Sequence, residues 1–387
     1  MISVYVIQII LILVFGFLFR GEKKKFLTTA FIILFVVMAF RNARLVGDDS
    51  ATSYYIEFSE IEKSINFEIS WPNPGLSFVM RLILFVSNDY QWVIVITALW
   101  ICFAYCKLLI KYSEGAFISV MWFMGMLFYT FMFSALKQAW AMAFLCFAFD
   151  SIFEKKPIRF LLFVSLAALF HFPALIFLPA YLIAKLRINK VFPIMMLSII
   201  VIVYIFRAQI LSLMTSTYAK GEGEYLSNVQ FIGTKFVFML LMIAFGFYNY
   251  FNSENNKSQK DNVNSALLYF MAIAAVIQTF CFYSNIFERL ADYYFQFSIL
   301  FVPLVLLQRG TINLKKGDQS LSKSAHSQNV TIGSKSSRII SLKDIDIITA
   351  LSIIITVFCV WRYISTTVND VALSPFYFFW QNLSGIK

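Results

Sequence analysis

Residues 91–110 read QWVIVITALWICFAYCKLLI, and this stretch decides the fold class. Lys107 is its one charged residue. A helix of about 20 residues is about 30 Å long, which matches the hydrocarbon thickness of a bilayer. The stretch therefore predicts a helix that spans a membrane.

Similar apolar runs recur along all 387 residues, of which 60% are hydrophobic and 14% charged. Soluble domains carry roughly 25% charged residues, so a single water-soluble domain is excluded. The pattern predicts an all-α integral membrane protein, with residues 1–387 forming one polytopic domain of about twelve spans. The predicted spans are 2–19, 26–40, 91–110, 116–133, 138–153, 158–170, 172–184, 191–206, 234–251, 264–282, 290–307 and 345–363.

Residues 76–87 are also apolar, but Arg81 lies at their centre. A lone arginine at the middle of a bilayer costs at least a few kcal/mol, so a re-entrant or interfacial helix is expected near 76–87. The basic loops then fall on one side, as the positive-inside rule requires. This arrangement predicts outer loops at 41–90 and 207–233, a flexible basic cytoplasmic loop at 308–344 and an outer C-terminal segment at 364–387.

The chain shows no motif for nucleotide or metal chemistry. The five cysteines lie in apolar runs without the spacing of zinc ligands or of a disulfide framework. The net charge of +11 is scattered between apolar runs, so no nucleic acid partner is expected. Neither a metal nor a cofactor is predicted.

The loop after the second span carries Arg41, Arg44, Asp48 and Asp49. The arginines either neutralise the two carboxylates or bind an anion such as phosphate, which a planar guanidinium can hold in a bidentate manner. The carboxylates are candidates for binding or activating a sugar hydroxyl.

Three further outer residues have two possible roles each. Asn73 either caps the helix that follows it or contributes to a site. Lys137, next to Gln138, breaks the positive-inside pattern, and its ammonium group either extends to the interface or binds an anion. His171 lies between two apolar runs and before Pro173. It is either a structural residue or, because histidine titrates near neutral pH, a base or a hydrogen-bond donor to phosphate.

The last candidate cluster precedes the span 290–307. Arg289 and Asp292 are three residues apart, a spacing that allows a local ion pair. Otherwise Arg289 is an anion ligand, with Tyr293 next to the pair.

Taken in order, these pieces resemble the EpsG-like branch of the Wzy-type polysaccharide polymerases. The matching elements are Phe40-Arg41 with Val46-Gly47-Asp48-Asp49 and Tyr54, Asn73 with Gly75, Lys137-Gln138 with Ala141, Leu169-Phe170-His171, and Arg289 with Tyr293 or Tyr294. Lys137 stands where that family usually has arginine. The resemblance implies a fold similar to GT-C glycosyltransferases, in the bacterial plasma membrane, with the active face outside.

The resemblance also implies the reaction. A growing chain on undecaprenyl pyrophosphate is transferred to a sugar hydroxyl of the next lipid-linked oligosaccharide unit. The expected partners are that saccharide, the bilayer, and the flippase and chain-length regulator of the same pathway. The candidate catalytic residues are Asp48, Asp49 and His171, and the candidate substrate ligands are Arg41, Arg44, Asn73, Arg81, Lys137, Gln138, Arg289 and Tyr293.

Other functions compete with this one. An oligosaccharide ligase would use the same donor with a different acceptor. A flippase for lipid-linked oligosaccharide would need charged groups at several depths of the bilayer, whereas the polar residues here cluster near one side. A membrane acyltransferase would need an acyl donor, and no feature of the sequence selects one.

Overall fold

The predicted apolar runs form helices in the computed structural model. The structure describes residues 3–64, 73–186, 188, 191–218, 234–252, 259–282, 285–306 and 342–381. The α-helices there are Val4–Leu18, Lys23–Phe40, Asp48–Ala51, Ser53–Lys63, Pro74–Leu84, Gln91–Tyr112, Ala116–Gly125, Phe128–Ser134, Leu136–Phe153, Pro157–Phe170, Ala180–Ile183, Phe192–Tyr218, Thr234–Asn252, Gln259–Gln278, Asn285–Phe295, Ser298–Leu306 and Leu342–Asn369, with 3₁₀ segments at Phe172–Phe177 and Thr279–Phe282.

Within this described part, four helices are long and apolar enough to cross a membrane, or up to six if each of two bent pairs forms one span. The four are Gln91–Tyr112, Leu136–Phe153, Val263–Cys281 and Thr349–Asn369. An all-helical membrane protein is consistent with these segments, whereas the predicted count of twelve spans is not confirmed. Most of the other predicted spans form shorter apolar helices or, as in Lys23–Phe40, helices with charged ends.

The short helix predicted near 76–87 is present as Pro74–Leu84. Its 11 residues extend about 16 Å, which is half of the hydrocarbon thickness. Leu76 and Met80 are buried against the bundle, whereas Phe78 and Leu82 are about half exposed. Most of the loop predicted at 308–344 and most of the loop predicted at 207–233 lie outside the described residues. Residues 342–344 are described and begin the helix Leu342–Asn369.

Two predicted spans are broken near their middles. Ala116–Gly125 and Phe128–Ser134 meet at 47°, with Leu127 in the left-handed region at φ 65°. Phe287–Phe295 and Ser298–Leu306 meet at 52°. Breaks free backbone and side-chain polar groups, which must find partners inside an apolar bundle.

Polar groups of the two broken helices form hydrogen bonds with each other. Trp122 Nε1 donates to Ser298 Oγ at 2.9 Å, and Ser119 Oγ donates to the Ile299 carbonyl at 2.7 Å. Tyr105 donates from Gln91–Tyr112 to Gln296 Oε1 at 2.6 Å. These buried hydrogen bonds hold the breaks side by side.

Residue size explains another close approach. A Cβ atom on Gly125 would lie 2.4 to 2.6 Å from atoms of Cys359. Only glycine therefore lets Leu342–Asn369 pack so closely against Ala116–Gly125 just before the break.

Charged residues gather at the two ends of the bundle. At one end Glu154 pairs with Lys111 at 2.8 Å and with Arg159 at 2.7 Å, which links the end of Gln91–Tyr112 to the start of Pro157–Phe170. At the opposite end the loop after Lys23–Phe40 meets the C-terminal segment: the Asn42 amide donates to the Tyr377 carbonyl at 2.7 Å and the Gly47 amide to the Ala372 carbonyl at 2.8 Å. This second end carries the candidate residues.

Candidate active site at one end of the bundle

Arg41 is fully buried and holds the loop that follows it. Its Nε donates to the Val46 carbonyl at 3.1 Å, its Nη1 to the Met38 carbonyl at 2.7 Å and its Nη2 to the Phe133 carbonyl at 2.8 Å. The guanidinium also lies over the Phe133 ring, 4.5 Å from the ring centre. This position does not support the predicted role of Arg41 in binding pyrophosphate, because all three nitrogens are already occupied.

Arg44 is exposed and lies 4.6 Å above the centre of the Tyr55 ring. Within the described part of the chain, neither Arg41 nor Arg44 forms an ion pair with Asp48 or Asp49. The structure therefore does not show the two arginines neutralising the two aspartates.

Gly47 sets the position of the two carboxylates. Its φ is +100°, and an added Cβ would lie 2.7 Å from the Phe133 carbonyl oxygen. The next amide, of Asp48, donates to Ser134 Oγ at 3.0 Å. Glycine is required here, and the turn leaves the Asp48 side chain exposed and that of Asp49 half-buried.

Lys137 is paired with a residue that the sequence did not single out. Its Nζ lies 2.9 Å from Glu57 Oε2, with both side chains less than one-fifth exposed. Ser77 Oγ donates to the other Glu57 oxygen at 2.6 Å. Lys137 therefore links Leu136–Phe153 to Ser53–Lys63, rather than extending to the interface.

The Lys137 ammonium also lies 5.6 Å from the centre of the Tyr54 ring. Burial, with the carboxylates of Asp49 and Glu57 nearby, raises the pKa of Tyr54 to about 12. Tyr54 therefore stays protonated and keeps a hydroxyl donor at this end of the bundle.

Asn73 positions the segment around His171. Its Oδ1 accepts the Phe172 amide at 2.8 Å, and it makes no side-chain cap on its own helix. An added Cβ on Gly75 would lie 2.6 Å from the Phe170 ring, which is stacked on Trp140 at a centroid distance of 4.6 Å. The Asn73/Gly75 element and the Leu169-Phe170-His171 element of the sequence therefore pack directly against each other.

His171 is half-buried, and its Nδ1 is hydrogen-bonded to the Tyr293 hydroxyl. Burial lowers the pKa of His171 to about 4, and the nearby positive charges of Arg289 and Lys137 act in the same direction. The ring is therefore neutral at physiological pH.

Arg289 lies among the other candidate residues. Gln138 Nε2 donates to its backbone carbonyl at 2.7 Å, while the side chain itself is exposed. Its charge acts on both His171 and Tyr54. Gln138, His171 and Tyr54, which lie in separate elements of the sequence, are therefore brought near this arginine.

A cavity of about 420 Å³ opens beside Arg289. The bend at Met126–Phe128 forms part of its wall, together with Ser134 and Thr366. Its ionisable lining residues are Asp48, Lys235, Glu288, Arg289, Asp292, Arg362 and Asp370.

The charges in this cavity are paired differently from the prediction. Asp292 pairs with Lys235 at 2.5 Å, and Glu288 lies 3.1 Å from the same nitrogen. Of the two alternatives for Arg289, the ion pair with Asp292 is therefore not the one that the structure shows. Arg362 contacts the Met126 sulfur at 3.0 Å. Among the described residues neither Arg289 nor Arg362 has a carboxylate at ion-pair distance, which leaves two guanidiniums available to an anion.

Lys235 and Arg362 were missed by the sequence analysis. Each is a cation within an apolar run, the same signal that drew attention to Arg81. Arg81 itself is not part of the cavity lining, and its Nη2 donates to Ser64 Oγ at 2.7 Å, at the end of Ser53–Lys63. No group of three metal-ligating side chains occurs in the described part of the chain.

The chain matches a family model over most of its length. No curated protein and no solved structure matches the chain. The model of the EpsG family matches residues 24–314, about three quarters of the chain, and this range includes every candidate residue predicted from the sequence. The chain, with its apolar helices and its charged cavity at one end, is therefore a member of the EpsG family.

Proposed function

We propose that the protein is a polysaccharide polymerase of the bacterial plasma membrane, acting on its outer face within a bundle of about twelve spans similar to GT-C enzymes. It joins oligosaccharide units carried on undecaprenyl pyrophosphate. Membership in the EpsG family suggests polymerase chemistry. The observation that carries the proposal is the convergence of Asp48, Arg289 and Arg362 on one cavity, with His171 close to Arg289.

The departing group determines what the site must supply. Undecaprenyl pyrophosphate leaves as an anion, so its departure depends on charge stabilisation more than on a proton donor. In our proposal Arg289 and Arg362 bind its phosphate oxygens, because both line the cavity and neither is tied to a carboxylate in the described chain. Guanidinium groups suit this task since they bind phosphate through two parallel hydrogen bonds.

The acceptor requires a base. Asp48 is exposed and lines the cavity, and we assign it to accept the proton of the attacking sugar hydroxyl. The new bond joins that oxygen to the anomeric carbon of the growing chain, while the bond from this carbon to the phosphate oxygen breaks. Asp49 is half-buried beside Tyr54, and in this scheme it takes no proton from the acceptor.

A complementation experiment tests the proposal. Cells that lack the protein are given Arg289→Ala or Asp48→Asn, and polymer length is measured with extraction of lipid-linked intermediates. We expect single units on lipid outside and no long polymer, at normal protein level. Lys63→Ala is the matched control, since Lys63 is an exposed cation of the predicted outer loop 41–90 and does not line the cavity.

The intermediates separate the competing functions. Long polymer that stays on its carrier lipid would identify a ligase. Single units trapped on the inner leaflet would identify a flippase. Long polymer of normal length in Arg289→Ala would remove Arg289 from the reaction.

A further inference from the structure

The hydrogen bond between His171 and Tyr293 has a direction that burial determines. Tyr293 is 0% exposed, and a buried hydroxyl needs an acceptor for its proton. Among the residues that the structure describes, its hydroxyl contacts only Nδ1 of His171. A neutral imidazole carries one proton, so an Nδ1 that accepts from Tyr293 leaves that proton on Nε2.

The surroundings of His171 keep its ring neutral. Arg289 comes from the same helix as Tyr293, and Lys137 comes from Leu136–Phe153, where it is paired with Glu57. Burial and the positive charges of Arg289 and Lys137 lower the pKa of His171 to about 4. Asn73 contributes an uncharged amide, whose Oδ1 accepts the backbone N–H of Phe172, the residue after His171. From pH 6 to 8 the ring therefore offers one N–H donor and no free nitrogen.

We infer that Tyr293 fixes His171 as the neutral Nε2–H tautomer, which donates a hydrogen bond to a phosphate oxygen of the lipid-linked donor and takes no proton from the acceptor hydroxyl. The inference rests on the proposed function and assigns His171 a role at the same site. The positive charges of Arg289 and Lys137 act on this ring, which favours an anionic oxygen as the acceptor of its N–H. Tyr293 is a positioning residue, because it acts through His171.

Nuclear magnetic resonance tests the tautomer without any activity assay. The chain has two histidines, His171 and His326, so ¹⁵N-histidine labelling of the full chain in detergent micelles gives two imidazole rings. His326→Gln leaves the His171 signals alone. We expect a protonated Nε2 and an unprotonated Nδ1, unchanged from pH 8 to pH 6. An Nδ1–H tautomer, or an imidazolium at pH 7, would overturn the inference.

Variants test the two roles. In Tyr293→Phe the same spectrum should show a mixture of tautomers, and an unchanged spectrum would contradict the positioning role. Glutamine can place an N–H near the position of Nε2, whereas asparagine places its amide near Nδ1. We expect polymerisation by His171→Gln within about tenfold of the parent and a loss of about 10²–10³ for His171→Asn, the usual effect of removing one donor from a charge-stabilising site.

Equal loss in both variants, or loss of the acid limb of the pH profile in His171→Gln, would mean that His171 is the base. If the spectrum is as expected but no polymer depends on the protein, the proposed function fails and the tautomer stands.

Discussion

Substitution of Lys235 by methionine should destabilise the protein strongly. The lysine nitrogen lies 2.5 Å from Asp292 and 3.1 Å from Glu288, and the side chains of Lys235 and Asp292 are 10% and 7% exposed. Removing the cation leaves the Asp292 carboxylate buried without a partner. The cost of such a change is about 3–5 kcal/mol, whereas the pair with Glu288, which is 39% exposed, adds no more than about 1 kcal/mol.

The double variant Lys235→Met with Asp292→Leu measures how much of that loss is an unpaired charge. Replacing a whole buried pair by apolar residues of similar size is often neutral, so the double variant should recover most of the stability. Lys111→Met is the matched control. Its lysine also contacts two carboxylates but is 44% exposed, and its loss should cost about 1 kcal/mol or less.

The assay is reversible unfolding of the purified chain in mixed micelles, followed by loss of tertiary structure, with thermal midpoints as a second readout. The argument from burial is refuted if Lys235→Met costs no more than Lys111→Met. It is also refuted if the double variant is as unstable as the single one, because the loss would then come from packing.

Three other changes have expected outcomes. Gly47→Ala should destabilise by about 1–3 kcal/mol through its positive φ and the close Phe133 carbonyl, measured by the same unfolding assay. Gly75→Ala should displace the Phe170 ring and with it His171, lowering polymer yield in cells with little change in protein level; normal yield would uncouple that contact from the site. The lysines beside Glu154 lower its pKa from 4.5 to about 2, so the stability from this carboxylate is complete above pH 4.5 and lost as pH falls towards 2; in Glu154→Gln the unfolding midpoint should depend less on pH in that window.

Much of the helical architecture follows from local patterns. Each of the twelve apolar runs lies in or overlaps helical structure, because a chain in lipid must satisfy its backbone hydrogen bonds within the segment. The short helix at Pro74–Leu84 follows from its length and from Arg81. The breaks at Leu127 and after Phe295 were not predicted, since the apolar runs do not show where their helices bend, and only contacts such as Trp122–Ser298 show how the breaks are held.

The candidate site was predicted in its residue types more than in its contacts. Asp48, Gln138, His171, Arg289 and Tyr293 lie at one end of the bundle, and their roles in a reaction stay predictions. Helical spacing allowed Arg289 as the partner of Asp292, whereas the partner in the structure is Lys235, which comes from another helix. Arg41 was predicted to be a ligand because burying an arginine at the end of a span costs free energy unless the guanidinium has a partner. In the structure three backbone carbonyls are its partners, so no bound anion is needed.

By itself the sequence determined the class of protein and the residues whose side chains could take part in a reaction. Composition, the length of apolar runs and the free-energy cost of a charge in lipid can all be read from the sequence without knowing the fold. Only the tertiary structure decided which charges are neutralised and which remain available. Lys235 and Lys137 are paired across helices, whereas Arg289 and Arg362 meet at one cavity from segments far apart in the chain. Pairing inside a bundle depends on distances of a few ångströms between helices, and no local pattern in the sequence encodes those distances.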